Sequence, residues 1–169
     1  MSSDSAIPVQ KCNCLALRQA ARHVTQFYDQ YLVPSGSRTT QFSILAKLKR
    51  LGPMTINALA RELVMDRTTL GRTMLPLERD GLISIQDGTV DRRSKELALT
   101  KTGAEQVRRA AKLWVEAQKE FEERFGVKRA ADLRDLLGDV VSCDLDTAAA
   151  AAASPPHPTN PPKRKASNA

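Results

Sequence analysis

The sequence predicts a mainly α-helical protein carrying one small β-hairpin, and three observations carry that expectation. Apolar residues recur at three- and four-residue steps along much of the chain, the spacing that keeps side chains on one face of a helix. The composition is rich in leucine and alanine, with 41% hydrophobic but only 4% aromatic residues, which favours helices over a sandwich or barrel. One short block around Asp87-Gly88 alternates in polarity instead, as the strands of a hairpin do.

A chain of 169 residues can bury an ordinary core without staples. Its net charge of +7 draws it towards polyanions but does not by itself separate DNA from RNA or a membrane surface. Three of the basic residues, Lys163, Arg164 and Lys165, sit in an acid-free stretch from Ser154 to Ala169, so the rest of the chain is only moderately basic. The cysteines Cys12, Cys14 and Cys143 are odd in number, and the N-terminus lacks the long apolar run of a signal or membrane span. These features predict a cytoplasmic protein with no membrane partner and no framework of structural disulfides.

Residues 1–10 are polar and read as a flexible arm. From Leu17, the positions Ala20, Ala21, Val24, Phe27, Tyr28 and Tyr31 continue a helical stripe that Pro34-Ser35-Gly36 stops. A second helix over Thr40 to Leu51 buries Ile44, Leu45, Leu48 and Leu51 and ends at Gly52-Pro53. Thr55 can cap a short third helix with Ile56, Leu59, Ala60 and Leu63 inside. Asp66 can cap a fourth from Arg67 to about Asp80, stopped by Gly81. Leu82 to Ile85 and Lys95 to Leu99 read as the two hairpin strands, with Asp91, Arg92, Arg93 and Lys95 making a basic tip. Thr100 opens a long helix whose stripe of Val107, Ala110, Ala111, Trp114, Ala117, Phe121 and Phe125 is too long for the small hairpin lobe to cover alone. After Gly126 a last helix presents Leu133, Leu136, Leu137, Val140 and Val141. From Ala148 an alanine run and a proline-rich basic tail cannot bury a core and are expected to be disordered.

The third and fourth helices flank a tight turn, as in a helix-turn-helix, and the adjoining hairpin makes the motif winged. With Leu70, Met74 and Leu77 inward, the opposite face of the fourth helix carries Thr68, Arg72, Leu75 and Arg79, with Arg67 and Thr69 on the flanks. Arginine can bond guanine edges in pairs, and threonine offers a hydroxyl to base or phosphate and a methyl to thymine. Leu75 and Pro76 fit this less well: Pro76 removes an amide donor and should kink the helix, and the simplest expectation is that both pack on neighbouring structure. A lone basic amphipathic helix is most simply a solvated face, but here the turn, hairpin and basic tip agree with one another.

The block from TTQFSILAKL through DRTTLGRTMLPLERDGLI to DRRSKELALTKTG resembles the multiple antibiotic resistance regulator (MarR) family. The resemblance covers about residues 11–145. It implies a family domain over 11–147, with dimerisation helices at 11–36 and 100–147 and a winged helix-turn-helix lobe at 37–99. It also implies a homodimer, most often a repressor, that binds a pseudo-palindromic operator in double-stranded DNA, is not an enzyme and needs no cofactor. In the family, an Asp and an Arg two residues on mark the wing, the Arg entering the minor groove; Asp91 and Arg93 match them. A narrow minor groove favours arginine, while Arg92 and Lys95 would touch phosphates.

The resemblance further implies a signal, usually a small phenolic or other aromatic acid, bound between the dimerisation helices and the DNA-binding lobe. His23 and Tyr28 could meet such an acid, although a core or interface role is the plainer reading of each. Cys12 and Cys14 precede the first helix, where terminal amides could make a thiolate reactive, and some relatives sense oxidants through a cysteine in this region. Two inert small residues are the plainer reading. Zinc is disfavoured by the Cys-x-Cys spacing with remote His23 and Cys143. Two other functions stay open at this level: a winged helix that binds an acidic protein, and a thiol peroxidase using Cys12 or Cys14.

Overall fold

A computed structural model of the chain describes residues 9–88 and 93–145. The predicted arm is therefore described only from Val9, where a 3-10 turn over Val9–Lys11 leads into the first helix. The alanine run and basic tail lie outside the described residues. Helix α1 spans Asn13–Leu32, α2 Thr39–Leu51, α3 Ile56–Glu62, α4 Arg67–Arg79, α5 Lys101–Phe125 and α6 Val127–Ser142. Strands β1 (Met54–Thr55), β2 (Ile83–Asp87) and β3 (Lys95–Leu99) form an antiparallel sheet in the order β1-β3-β2.

The predicted hairpin is thus part of a three-stranded sheet. Its first strand begins and ends later than the sequence suggests, because Ile83 pairs with Leu99 and Asp87 with Lys95. Met54 opposes Leu97 and Thr55 opposes Glu96 on the other edge. β1 is too short to show a period of two, so sequence patterning had nothing to detect.

The predicted inner positions Ile44, Leu45, Leu48, Leu59, Leu70, Met74 and Leu77 are buried, and Leu32, Phe42, Leu82, Leu97 and Val107 belong to the same core. Leu51, also expected inside, is instead exposed, because it is the last residue of α2 and the chain turns away at Gly52. The N-terminus of α2 is anchored from α1. Asp29 accepts hydrogen bonds of 2.7 Å from both the amide and the hydroxyl of Thr39, while Gln41 accepts from the Arg38 amide at 3.1 Å. The junction between sheet and α5 is equally specific. Thr100 caps α5 by accepting from the Gly103 amide at 3.0 Å and donates to the Gly81 carbonyl at 2.7 Å. A side chain at Gly103 would collide with the backbone of Leu82, so glycine is what lets α5 start this close to β2.

The chain separates into a larger compact unit ending at Asp132 and a smaller one from Leu133 onward. Within the larger unit the aromatic stripe of α5 is partly covered by the chain's own helices. The Phe121 ring lies 6.2 Å from those of Phe27 and Tyr28, and Trp114 lies 6.4 Å from Phe42. Trp114 nevertheless stays 38% exposed and Leu17 40%, and Ala20 and Ala21 are exposed as well. Within the smaller unit Leu136, Leu137, Val140 and Val141 of α6 are all exposed.

Candidate nucleic-acid interface

Thr55 starts α3 by accepting from the Ala58 amide at 3.2 Å. The helix ends in a six-to-one and five-to-two pair of bonds, Met65 N–H to the Ala60 carbonyl at 2.9 Å and Val64 N–H to that of Arg61 at 3.2 Å, the Schellman stop. That stop needs one left-handed residue, and Val64 fills it at φ 51°. Asp66 then caps α4 by accepting from the Thr69 amide at 2.8 Å. Hydrogen bonds from Thr69 hold the Asp66 carboxyl below the usual aspartate range, so it stays ionised at the positive end of the helix. α4 closes with the same stop as α3, Leu82 N–H bonding to Leu77 and Gly81 N–H to Glu78, here with a glycine at φ 68°.

Between these ends α4 has two faces. Leu70, Met74 and Leu77 are buried, while Arg67, Thr68, Thr69, Arg72, Leu75 and Arg79 are exposed. At about 100° per residue, Thr68, Arg72, Leu75 and Arg79 fall within about 60° of arc opposite the buried residues, so they form one ridge. The expectation that Leu75 packs on neighbouring structure is corrected: it is 64% exposed, because its place on the ridge faces away from the core. Pro76 is half-buried and sits within a helix that continues to Arg79. Its missing N–H leaves the Arg72 carbonyl without the usual intrahelical donor.

The ridge and wing cations differ in their surroundings. Arg79 Nε donates to the neighbouring Asp80 at 2.9 Å in an exposed pair at the C-terminus of α4. Lys95, at the start of β3, pairs with Asp87 across the base of the wing. Arg93 is exposed. Asp91 and Arg92 lie outside the described residues.

The predicted signal residues are not brought together. Tyr28 faces α5 and donates to Gln118 Oε1 at 2.7 Å, whereas His23 is exposed, and five residues of helix turn the two to different faces. An open recess of about 770 Å³ lies between the turn that follows α1 and one face of α5; it is lined by Pro34 and Leu113, by the cations Arg108, Arg109 and Lys112, and by Glu105 and Glu116. Cys12 is the N-cap of α1, its sulfur accepting from the Leu15 amide at 3.4 Å. Cys14 is therefore inside the first turn rather than before the helix, and both thiols, like that of Cys143, are free and exposed.

Comparison with known proteins decides the family. Residues 39–95 match the MarR family. The uncharacterized HTH-type transcriptional regulator YwoH of Bacillus subtilis is 30% identical over 125 residues, which cover 70% of this chain and 80% of YwoH. The chain belongs to the MarR family. The M. tuberculosis transcriptional regulator MosR, solved in complex with DNA, is 35% identical, with 80% of this chain and 100% of that one covered at a TM-score of 0.67. A MarR mutant from E. coli complexed with operator DNA shares the fold at 21% identity and a TM-score of 0.67, over 74% of this chain and 90% of that one. This MarR-family chain is accordingly a DNA-binding transcriptional regulator, from a family of regulators and not of enzymes. Among the described residues no helix is long and apolar enough to cross a membrane.

Proposed function

We propose that the chain works as a cytoplasmic homodimeric repressor that lays α4 of each copy in the major groove of one half of a pseudo-palindromic operator. The observation that carries this reading is the single exposed ridge of α4, opposite the core and backed by Thr69 and Arg67 at its N-terminal end. In this reading Arg72 contacts a guanine, Thr68 and Thr69 contact base or phosphate, and Arg67 and Arg79 contact phosphates. Arg93 enters the minor groove with Asp91 orienting it, while Arg92 and Lys95 hold the backbone.

Two kinds of signal fit. An aromatic acid would find apolar walls in Pro34 and Leu113 and a lining in which Arg108, Arg109 and Lys112 outnumber Glu105 and Glu116, whereas His23 and Tyr28 lie on different faces of α1. An oxidant would act at the exposed pair Cys12 and Cys14. Joining them releases two protons and two electrons to a hydroperoxide, giving an alcohol and water. It would also strain the first turn of α1, since residues two apart on a helix face away from each other.

The test is selection of genomic fragments with the full chain, followed by anisotropy titration of the selected duplex and a scrambled one. The selected duplex should be palindromic and bound far more tightly than the scrambled one. Arg72→Ala should weaken it about tenfold and relax base preference at one position per half-site, whereas Arg93→Ala should weaken it without changing the sedimentation of the free protein. Equal binding of both duplexes, or unchanged affinity in both variants, would overturn the reading.

A further inference from the structure

We propose that Leu75 is a specificity-determining residue that reads the C5 methyl group of a thymine in the major groove. The inference rests on the reading of α4 as the groove helix. Leu75 stands 64% exposed on the ridge, between Arg72 and Arg79 along the helix axis. Two nearby polar side chains are already partnered within the chain. The Arg79 guanidinium is tied to Asp80 at 2.9 Å, and the Thr73 hydroxyl is turned back onto the Thr69 carbonyl at 2.9 Å.

The next residue, Pro76, is half-buried within the helix, and its ring restricts the backbone of Leu75. Leu75 and Pro76 together present an apolar surface beside the arginines of the helix. The thymine methyl is the only apolar group that base pairs offer in the major groove, so it is what an exposed leucine on such a ridge can recognise. Arg72 and Leu75 are three residues apart, about 4.5 Å along the helix axis. With bases about 3.4 Å apart along the duplex, the thymine should lie one or two base-pair steps from the guanine met by Arg72.

The experiment uses the duplex obtained by selection with the full chain, in which each thymine is replaced in turn by deoxyuridine, removing one methyl and no hydrogen-bonding group. The wild-type protein should lose about fourfold in affinity per half-site at one such position. Leu75→Ala should bind the parent duplex about fourfold more weakly and be indifferent to deoxyuridine there, while Leu75→Met should restore the sensitivity. Undiminished sensitivity at every thymine in Leu75→Ala overturns the assignment of Leu75. If Arg72→Ala still relaxes base preference in that case, the groove reading of α4 stands; if both variants keep the wild-type base profile, the groove reading itself falls.

Discussion

A single carboxylate links the first helix to the start of the DNA-binding lobe. Asp29 of α1 serves as a remote cap for α2, accepting from the amide and hydroxyl of Thr39 and pairing with Arg38 at 3.4 Å. Partial burial pushes its pKa up, but the two bonds from Thr39 and the Arg38 guanidinium outweigh it, and the carboxyl sits below the usual aspartate value. The folded chain therefore binds this proton less tightly than the unfolded chain does. The resulting stability is fully present above the ordinary aspartate pKa of about 3.9 and is lost as the pH falls through the lowered value. Asp29→Asn keeps an acceptor for Thr39 but loses the charge, so it should be less stable than wild type at pH 7 by about 1 kcal/mol. Urea unfolding at a series of pH values should show the difference closing as the pH drops below about 4; a constant difference would mean that the charge contributes nothing.

Helices α3 and α4 end in the same hydrogen-bonding pattern but spend different residues on it, which makes the turn between them testable. Gly81 takes the left-handed position at the end of α4, with nothing within 4 Å of where a Cβ would be. Val64 takes it at the end of α3, and a left-handed backbone costs a β-branched residue about 1–2 kcal/mol. Val64→Asn should accordingly raise the unfolding free energy by about 1 kcal/mol, and Gly81→Val should lower it by a similar amount. Thermal unfolding of the two variants would show opposite shifts, and shifts of the same sign would refute the strain argument. The contrast also marks what the sequence makes legible. Asp66 and Thr55 are read correctly as caps because capping is chemistry between near neighbours, and the buried face of α4 follows from its period. Val64 gives no sign of its conformation because only the geometry of the turn imposes it. β1 is invisible because its pairing with β3 is long-range, and the need for glycine at position 103 arises from the approach of β2, which no local pattern encodes.

At the scale of the whole molecule, the ridge of α4 could be read from the sequence, but the neighbours of its cations could not. The pairing of Arg79 with Asp80 and of Lys95 with Asp87 depends on choices among exposed rotamers that sequence does not fix. The exposed apolar face of α6 poses the larger question. Leu136, Leu137, Val140 and Val141 are all in contact with solvent in the single chain, and a continuous apolar surface of this kind marks a protein interface. In the proposed dimer it is covered by the second copy, and Leu137→Asp should then shift the protein to monomers in sedimentation without unfolding it. DNA binding offers an independent check, because affinity falls with salt in proportion to the number of phosphates neutralised, with a logarithmic slope of about −0.9 per phosphate. A dimer engages both half-sites of the operator and a monomer engages one. The Leu137→Asp variant should therefore bind the full operator far more weakly, since the second half-site is no longer reached by a tethered partner, and its salt slope should be about half that of wild type. A monomeric variant that kept the full slope would show that one copy makes all the phosphate contacts, and the symmetric arrangement on the operator would have to be abandoned.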